Sequence, residues 1–278
     1  MLQQAGELII IGGAEDKEGD CKILKEFVRL SGGSKARILV ITTATESPQE
    51  AGKKYKRIFN DLGSQQVETL DVNERDQAFD PVALSKVKEA TGIFFTGGDQ
   101  LRITSLIGGT SLDTSLHEAH VKGTILAGTS AGASAISATM IVEGDAEEAP
   151  KLNAVSMAPG LGLLNDVVID QHFDQRGRLG RLLTAVAQNP FILGIGIDED
   201  TAIVVRDNGV FSVLGSQAVT VVDGRGITFS NVSEASNGQA LALTDIKLHI
   251  LPAGYKYHLK SRVPLITEKK HQEDSHEN

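Results

Sequence analysis

Short unbroken apolar runs, separated by stretches with helical spacing, organise the first two-thirds of the chain. Leu8 to Ile11, Arg37 to Thr43, Val67 to Val72 and Gly92 to Phe95 are too short for helices and suit buried strands. Between the first two, Ile23, Leu24, Phe27, Val28 and Leu30 recur at the spacing of one helix face within Asp20 to Leu30. Further helices are predicted across Glu50 to Leu62, from Pro81 onward, across Gln100 to Leu106 and across Leu112 to Val121. Proline at a first helical position is tolerated because its missing N–H would be unbonded there anyway. This alternation predicts an α/β fold with a mainly parallel, helix-covered sheet. Sites in such sheets lie at the C-terminal ends of the strands. Gly12-Gly13, Thr42-Thr43, Gly97-Gly98 and Ser130 all belong to that edge. Gly12-Gly13-Ala14 lacks the spacing of a dinucleotide-binding turn, and a tight turn bordering the site accounts for it.

The pattern changes later. Asn165 to Asp170 reads as a strand, and a helix is predicted from near Gly177 with Leu179, Leu182, Leu183 and Val186 as its apolar stripe. Arg178 and Arg181 fall on a face away from that stripe. Phe191 to Ile197 is another strand, ending in Asp198-Glu199-Asp200. Thr201 to Arg206, Val210 to Leu214, Ala218 to Val222 and Ile227 to Phe229 are short runs divided by Asp-Asn-Gly and Asp-Gly-Arg-Gly, which are hairpin signals. Asp245 to Leu251 and Tyr255 to Leu259 are two further strands. We expect a single catalytic domain over 1–264 and a charged, disordered tail over 265–278.

Composition narrows the function. The 278 residues are 41% hydrophobic, enough for a substantial core. A net charge of −9 without a Lys/Arg-rich block argues against nucleic acid as a partner. No apolar run is long enough to span a bilayer, so no membrane partner is expected. The N-terminus shows no signal-peptide pattern, and a cytoplasmic location is expected. The single cysteine, Cys21, cannot form an intramolecular disulfide and is expected as a small core residue of the first helix. Glu143, Asp145, Glu147 and Glu148 crowd a segment closed by Pro150 and Pro159. It reads equally well as a solvated acidic loop and as a flap holding a cationic group.

Candidate chemistry centres on Thr124-Ile-Leu-Ala-Gly-Thr-Ser-Ala-Gly-Ala-Ser-Ala-Ile136. Thr124 to Ala127 is a predicted strand, Ala131 to Ala138 a predicted helix, and Gly128-Thr129-Ser130-Ala131-Gly132 between them fits the nucleophile-elbow pattern G-x-S-x-G. The glycines flank the serine because a Cβ there would collide with neighbouring strands. Ser134 and Ser137 read as small packing residues on the helix. A nucleophilic serine needs a base, an acid to orient the base, and amides for the oxyanion. Of seven histidines, His271 and His276 fall in the tail, His117 and His120 in a predicted surface helix, and His249 and His258 in late strands. His172 lies just past a predicted parallel strand, at the edge where Ser130 emerges. Glu199, its neighbours Asp198 and Asp200, and Asp170 and Asp174 are all placed to supply the acid, and the residues alone do not choose among them. Amides of Ala131 and the Gly97-Gly98 turn are candidate oxyanion donors, worth about 3–4 kcal/mol each. No cofactor is expected, and His172 with Asp170 and Asp174 is too thin a ligand set for a metal. The α/β-hydrolase fold is disfavoured, because its triad runs serine, acid, histidine.

The landmarks together carry a resemblance. Gly97-Gly98-Asp99-Gln100, the elbow Gly128 to Ala133, and Asp170-Gln171-His172-Phe173 running into Arg176-x-Arg178-x-x-Arg181, followed by Gly196-Ile197-Asp198-Glu199, resemble the cyanophycinases. These belong to a serine peptidase family that also holds aspartyl dipeptidases. The similarity covers most of the chain, from Leu8 to Pro264. It implies a flavodoxin-like sheet of the class I glutamine-amidotransferase kind, and commonly a homodimer. It implies Ser130 as nucleophile, His172 as base and Glu199 as orienting acid; the amides of Gly98 and Ala131, read from the residues themselves, are the expected oxyanion donors. Gln100, Asp170, Gln171, Arg176, Arg178 and Arg181 would be substrate-side or supporting residues. The implied substrate is cyanophycin, an aspartate backbone with arginine on each side-chain carboxyl, cut to β-Asp-Arg dipeptides. The residues are compatible with it: arginines can fork to carboxylate, and Asp170, Asp174 or the acidic segment can meet guanidinium. Like charges crowding a helix start point to an anion or acidic side chain nearby.

Overall fold

The structure is a computed structural model and describes residues 5–144 and 149–266. The chain begins with β1 (Leu8–Ile11), α1 (Lys22–Leu30), β2 (Arg37–Ile41), α2 (Pro48–Asp61) and β3 (Gln66–Leu70). It continues through α3 (Pro81–Glu89), β4 (Gly92–Phe95), α4 (Gln100–Ile107) and α5 (Ser111–Val121) to the elbow strand β5 (Ile125–Thr129) and α6 (Ala131–Ile136). Then come β6 (Ser137–Gly144), β7 (Val155–Pro159), β8 (Leu164–Gln171), α7 (Leu179–Gln188) and β9 (Leu193–Ile197). The antiparallel remainder is β10 (Thr201–Val205), β11 (Val210–Gly215), β12 (Ala218–Asp223), β13 (Lys247–Pro252), β14 (Lys256–His258) and β15 (Val263–Leu265).

Among the described residues these strands form two sheets, where the alternation predicted one. The larger runs β15-β14-β11-β10-β1-β5-β4-β2-β3, and its half from β1 to β3 is parallel. The smaller runs β13-β12-β9-β8-β6-β7, with β6, β8 and β9 parallel. β1 therefore sits inside the larger sheet, parallel to β5 on one side and antiparallel to β10 on the other. One face of that sheet is closed by α1 and α2 over an aromatic cluster in which Phe27, Tyr55, Phe59 and Phe94 stack or meet edge-on. The other face packs with the helices from α3 to α6 and with the apolar side of the smaller sheet in one continuous core. Ile10, Phe95, Leu126, Ile136, Ile169 and Ile195 all belong to that core, which places the C-terminal ends of β1, β5, β8 and β9 together.

Four local differences from the sequence reading have simple causes. The helix after the elbow stops at Ile136, because Ser137 already pairs with β8 and its hydroxyl donates to the Ser134 and Thr139 carbonyls. Cys21 is buried but precedes α1 in left-handed geometry, held by the Asp16 carboxylate on its amide. Glu143 is part of a β6–β7 hairpin and not of a loop, while Asp145, Glu147 and Glu148 lie outside the described residues. Ile227 to Phe229 forms no strand; Phe229 is exposed, and Asp-Gly-Arg-Gly opens a long irregular connection to β13 instead of a tight hairpin. Of the tail expected to be disordered over 265–278, Leu265 of β15 instead pairs with Lys256, and residues 267–278 lie outside the described residues.

Candidate active site

Ser130 stands between the end of β5 and the start of α6 with φ 51° and ψ −112°, a region that L-residues rarely enter and that costs of order 1–3 kcal/mol. The neighbourhood forces it. A Cβ on Gly128 would lie 2.4 Å from the Gly132 carbonyl oxygen, and one on Gly132 would lie 2.6 Å from that of Phe95. One elbow glycine thus admits the following turn of chain, and the other admits the next strand. Ser130's own amide donates to the Ile11 carbonyl at 3.0 Å.

His172 follows β8, again at positive φ, with its amide on the Gly12 carbonyl at 2.8 Å. Its Nε2 lies 3.0 Å from Ser130 Oγ, and its Nδ1 lies 2.6 Å from Glu199 Oε1. A carboxylate at Nδ1 makes that nitrogen the donor and leaves the Nε2 lone pair facing the serine hydroxyl. Burial lowers the His172 pKa, the nearby Arg176 and Arg178 charges lower it further, and Glu199 opposes them. The net lowering favours the neutral imidazole, the form a general base needs. The other acids are engaged elsewhere or exposed. Asp198 accepts from the Asp174 and Ala218 amides, Asp200 accepts from the Asp16 amide, and Asp170 is held by arginine.

Gly13 forms the wall behind the ring. A Cβ there would fall 2.3 Å from His172 Cε1, at a backbone φ of 105°. Gly13→Ala is expected to push the imidazole aside by a fraction of an ångström and to lower kcat about a hundredfold in a folded protein. A kcat within twofold of wild type would show that the ring does not depend on this wall.

Gly98 and Ala131 present backbone amides that donate to no protein group among the described residues. Gly98 holds φ 144°, and a Cβ on it would meet the Ala44 carbonyl at 2.1 Å. Gly97 approaches Ser130 so closely that a Cβ would lie 3.3 Å from the serine's. Because α6 is only six residues long, the Ala131 amide matters more than any helix dipole. Gln100 donates through Nε2 to the Ile141 and Val142 carbonyls at 3.0 Å, tying α4 to β6.

Arg178 and Arg181, on the side of α7 away from the predicted stripe, are buried. Leu179, expected in the apolar stripe, is instead exposed. Both arginines turn inward to the fully buried Asp170: Arg181 Nε donates to Oδ2 at 2.7 Å, its other nitrogen binds Oδ1, and Arg178 lies 3.5 Å from Oδ1. Arg178 also donates to the backbone carbonyl and the side-chain oxygen of Gln171. Burial pushes the Asp170 carboxyl up, against the pull of Arg181 and Arg178, and pushes Arg178 down to about 10, which leaves it charged. The acidic partner for the crowded arginines is therefore Asp170, and Arg176 is the member of the trio left exposed. Glu15, absent from the sequence reading, is buried directly beneath Thr129 and accepts its hydroxyl at 2.6 Å. The available signal was an acid two residues after a strand-ending glycine pair. Among the described residues, no group of three or more His, Cys, Asp and Glu is disposed to hold a metal ion, and no helix is long and apolar enough to cross a membrane.

A serine at a strained elbow, an imidazole and a carboxylate in line at the C-terminal edge of parallel strands make the arrangement of a serine-type hydrolase. The profile of peptidase family S51 matches residues 8–213, and the chain belongs to that family of peptidases. It is 41% identical over 259 residues to a cyanophycinase of Trichormus variabilis (strain ATCC 29413 / PCC 7937), covering 93% of this chain and 87% of that one. A cyanophycinase of Geminocystis herdmanii (strain PCC 6308) is 39% identical, over 93% of this chain and 95% of its own. The fold is similar to the crystal structure of a peptidase from an acI-B1 Actinobacterium, with a TM-score of 0.70 at 22% identity over 93% of this chain and 98% of that one.

Proposed function

We propose that this peptidase hydrolyses the aspartate backbone of cyanophycin and releases β-Asp-Arg dipeptides through an acyl-enzyme at Ser130. The observation that carries the reading is the unbroken line from Ser130 Oγ through His172 to Glu199, in a chain similar to cyanophycinases over 93% of its length. In this reading His172 Nε2 takes the serine proton as Oγ attacks the backbone carbonyl. Glu199 holds the ring and stabilises the imidazolium that forms. The amides of Gly98 and Ala131 receive the oxyanion, and His172 returns the proton to the departing amine. Water then repeats the sequence on the acyl-enzyme.

The substrate presents both carboxylate and guanidinium groups. Arg176, exposed beside the base, is a cation available to a substrate carboxylate, and the Gln100 amide oxygen accepts no hydrogen bond among the described residues. Asp170, Gln171, Arg178 and Arg181 serve as the floor that fixes the segment carrying His172 and Arg176. A cytoplasmic homodimer completes the proposal. The lone reduced Cys21 suits a reducing compartment, and exposed Leu248 and Ile250 on edge strand β13 offer apolar surface to a second copy.

The direct test incubates the protein with purified cyanophycin and follows soluble products by mass spectrometry, with Ser130→Ala beside it. Accumulation of β-Asp-Arg in the wild type alone is expected. Intact polymer in both, with cleavage of short Asp-X peptides, would replace this substrate with small dipeptides.

The base must be neutral to act, so activity falls as pH drops through the His172 pKa. Burial first, and Arg176 after it, hold that pKa below its ordinary value near 6.5. The acid limb of kcat/KM is expected below that value, and Arg176→Gln is expected to move it upward. An acid limb that stays in place in Arg176→Gln would sever the link between that charge and the base.

A further inference from the structure

The turn that joins β1 to α1 touches both halves of the catalytic line. Ile11, Gly12 and Gly13 are consecutive, and their carbonyls accept from the amides of Ser130, His172 and Asp200 at 3.0, 2.8 and 2.9 Å. Gly13 also walls the His172 ring, and the Asp16 amide donates to Asp200 Oδ1 at 2.8 Å. Nucleophile, base and the residue beside Glu199 thus hang from three neighbouring peptide groups. Whatever fixes this turn against β5 fixes the distance between Ser130 and His172.

One side chain makes that connection. The Glu15 side chain is 1% exposed. Its Oε2 accepts from Thr129 Oγ1 at 2.6 Å, one residue before the nucleophile. Its Oε1 accepts from Tyr55 Oη at 2.6 Å and pairs with Lys17 Nζ at 2.9 Å, so both oxygens are engaged. Tyr55 comes from α2 and is itself packed in the aromatic cluster, and Lys17 lies over its ring. A buried carboxylate carries a large desolvation cost unless it is paired and bonded. Here all its partners run to the turn, to the strand end carrying the nucleophile, or to the helix beneath.

We propose that Glu15 is a positioning residue for the peptidase reaction: its buried carboxylate locks the turn that supports His172 onto the end of the strand that carries Ser130. It touches neither substrate nor reacting atoms and acts through Thr129 and the turn. The inference rests on Ser130 and His172 being nucleophile and base.

The test separates serine reactivity from substrate binding by measuring, on the full chain, kcat and KM for cyanophycin and the rate at which a fluorophosphonate phosphonylates Ser130 with loss of fluoride. Thr129→Val keeps the shape and removes the hydroxyl that Glu15 accepts. It is expected to lower kcat and phosphonylation rate together by on the order of tenfold to a hundredfold, with KM within about threefold. Thr129→Ser, which keeps the hydroxyl, is expected to restore most of both rates. Glu15→Gln, which weakens the same contact, is expected to fall with Thr129→Val, and the double variant to be no slower than the worse single one. Should Glu15→Gln fail to fold, the Thr129 pair decides alone. A folded Thr129→Val that is phosphonylated as fast as Thr129→Ser overturns the inference while leaving the proposed reaction intact. Labelling of Ser130→Ala at the wild-type rate would overturn the nucleophile assignment, and this inference with it.

Discussion

Ser130→Ala is expected to lower kcat on the polymer by about a millionfold, with stability within about 1 kcal/mol of wild type. The change deletes one oxygen whose visible contact is the 3.0 Å approach to His172 Nε2. It leaves the elbow glycines, the backbone bond to Ile11 and the amides of Gly98 and Ala131 in place. Those amides can still polarise a bound carbonyl, so a residual rate about a thousandfold to ten-thousandfold above water is expected. Dipeptide release by mass spectrometry measures the loss, and thermal melting measures the fold. Turnover within tenfold of wild type would mean that another group attacks.

The second large effect concerns stability. Asp170→Ala removes the carboxylate on which two buried guanidinium groups converge and leaves both without their counter-charge. Breaking a buried pair from one side costs about 3–5 kcal/mol, because the remaining charge keeps its desolvation penalty. At about 2–4 °C per kcal/mol for a chain of this size, the melting temperature should fall by roughly 10 °C. Activity should fall as well, since Asp170 lies two residues before His172 and anchors the start of α7 through Arg181. A melting point within 2 °C of wild type would indicate that the arginines find water or other partners at little cost.

The residues differ in how much they disclose in advance. Leu8 to Ile11 and Gly92 to Phe95 are legible as strands because an unbroken apolar run of that length has few other uses. Ser130 is legible because the elbow demands glycine on both sides for steric reasons that sequence preserves. Glu199 was one acid among five, and it emerges by exclusion once backbone amides engage Asp198 and Asp200 and arginines engage Asp170. Such engagements depend on long-range register that no local pattern encodes. The division into two sheets was hidden for the same reason: a run specifies a strand but not its neighbour. Arg178 and Arg181 read as a polar helix face, because nothing local shows that Asp170 lies beneath them. Glu15 escaped notice because one acid after a turn is ordinary until its partner, Thr129, is seen more than a hundred positions away.

The place of β1 inside the larger sheet bears on when the protein becomes an enzyme during its synthesis. The first strand made must wait for β5 and then for β10, and Leu8 finds its second partner only at Val205. Glu199, just ahead of β10, emerges from the ribosome at nearly the same moment. In the proposed assignment a nascent chain thus carries Ser130 and then His172 before the acid that orients the imidazole has been made. Contacts between such distant positions also form slowly, because a long loop must close before either end gains anything. On that assignment reactivity is expected only late in synthesis, once the strand that started the chain is enclosed from both sides.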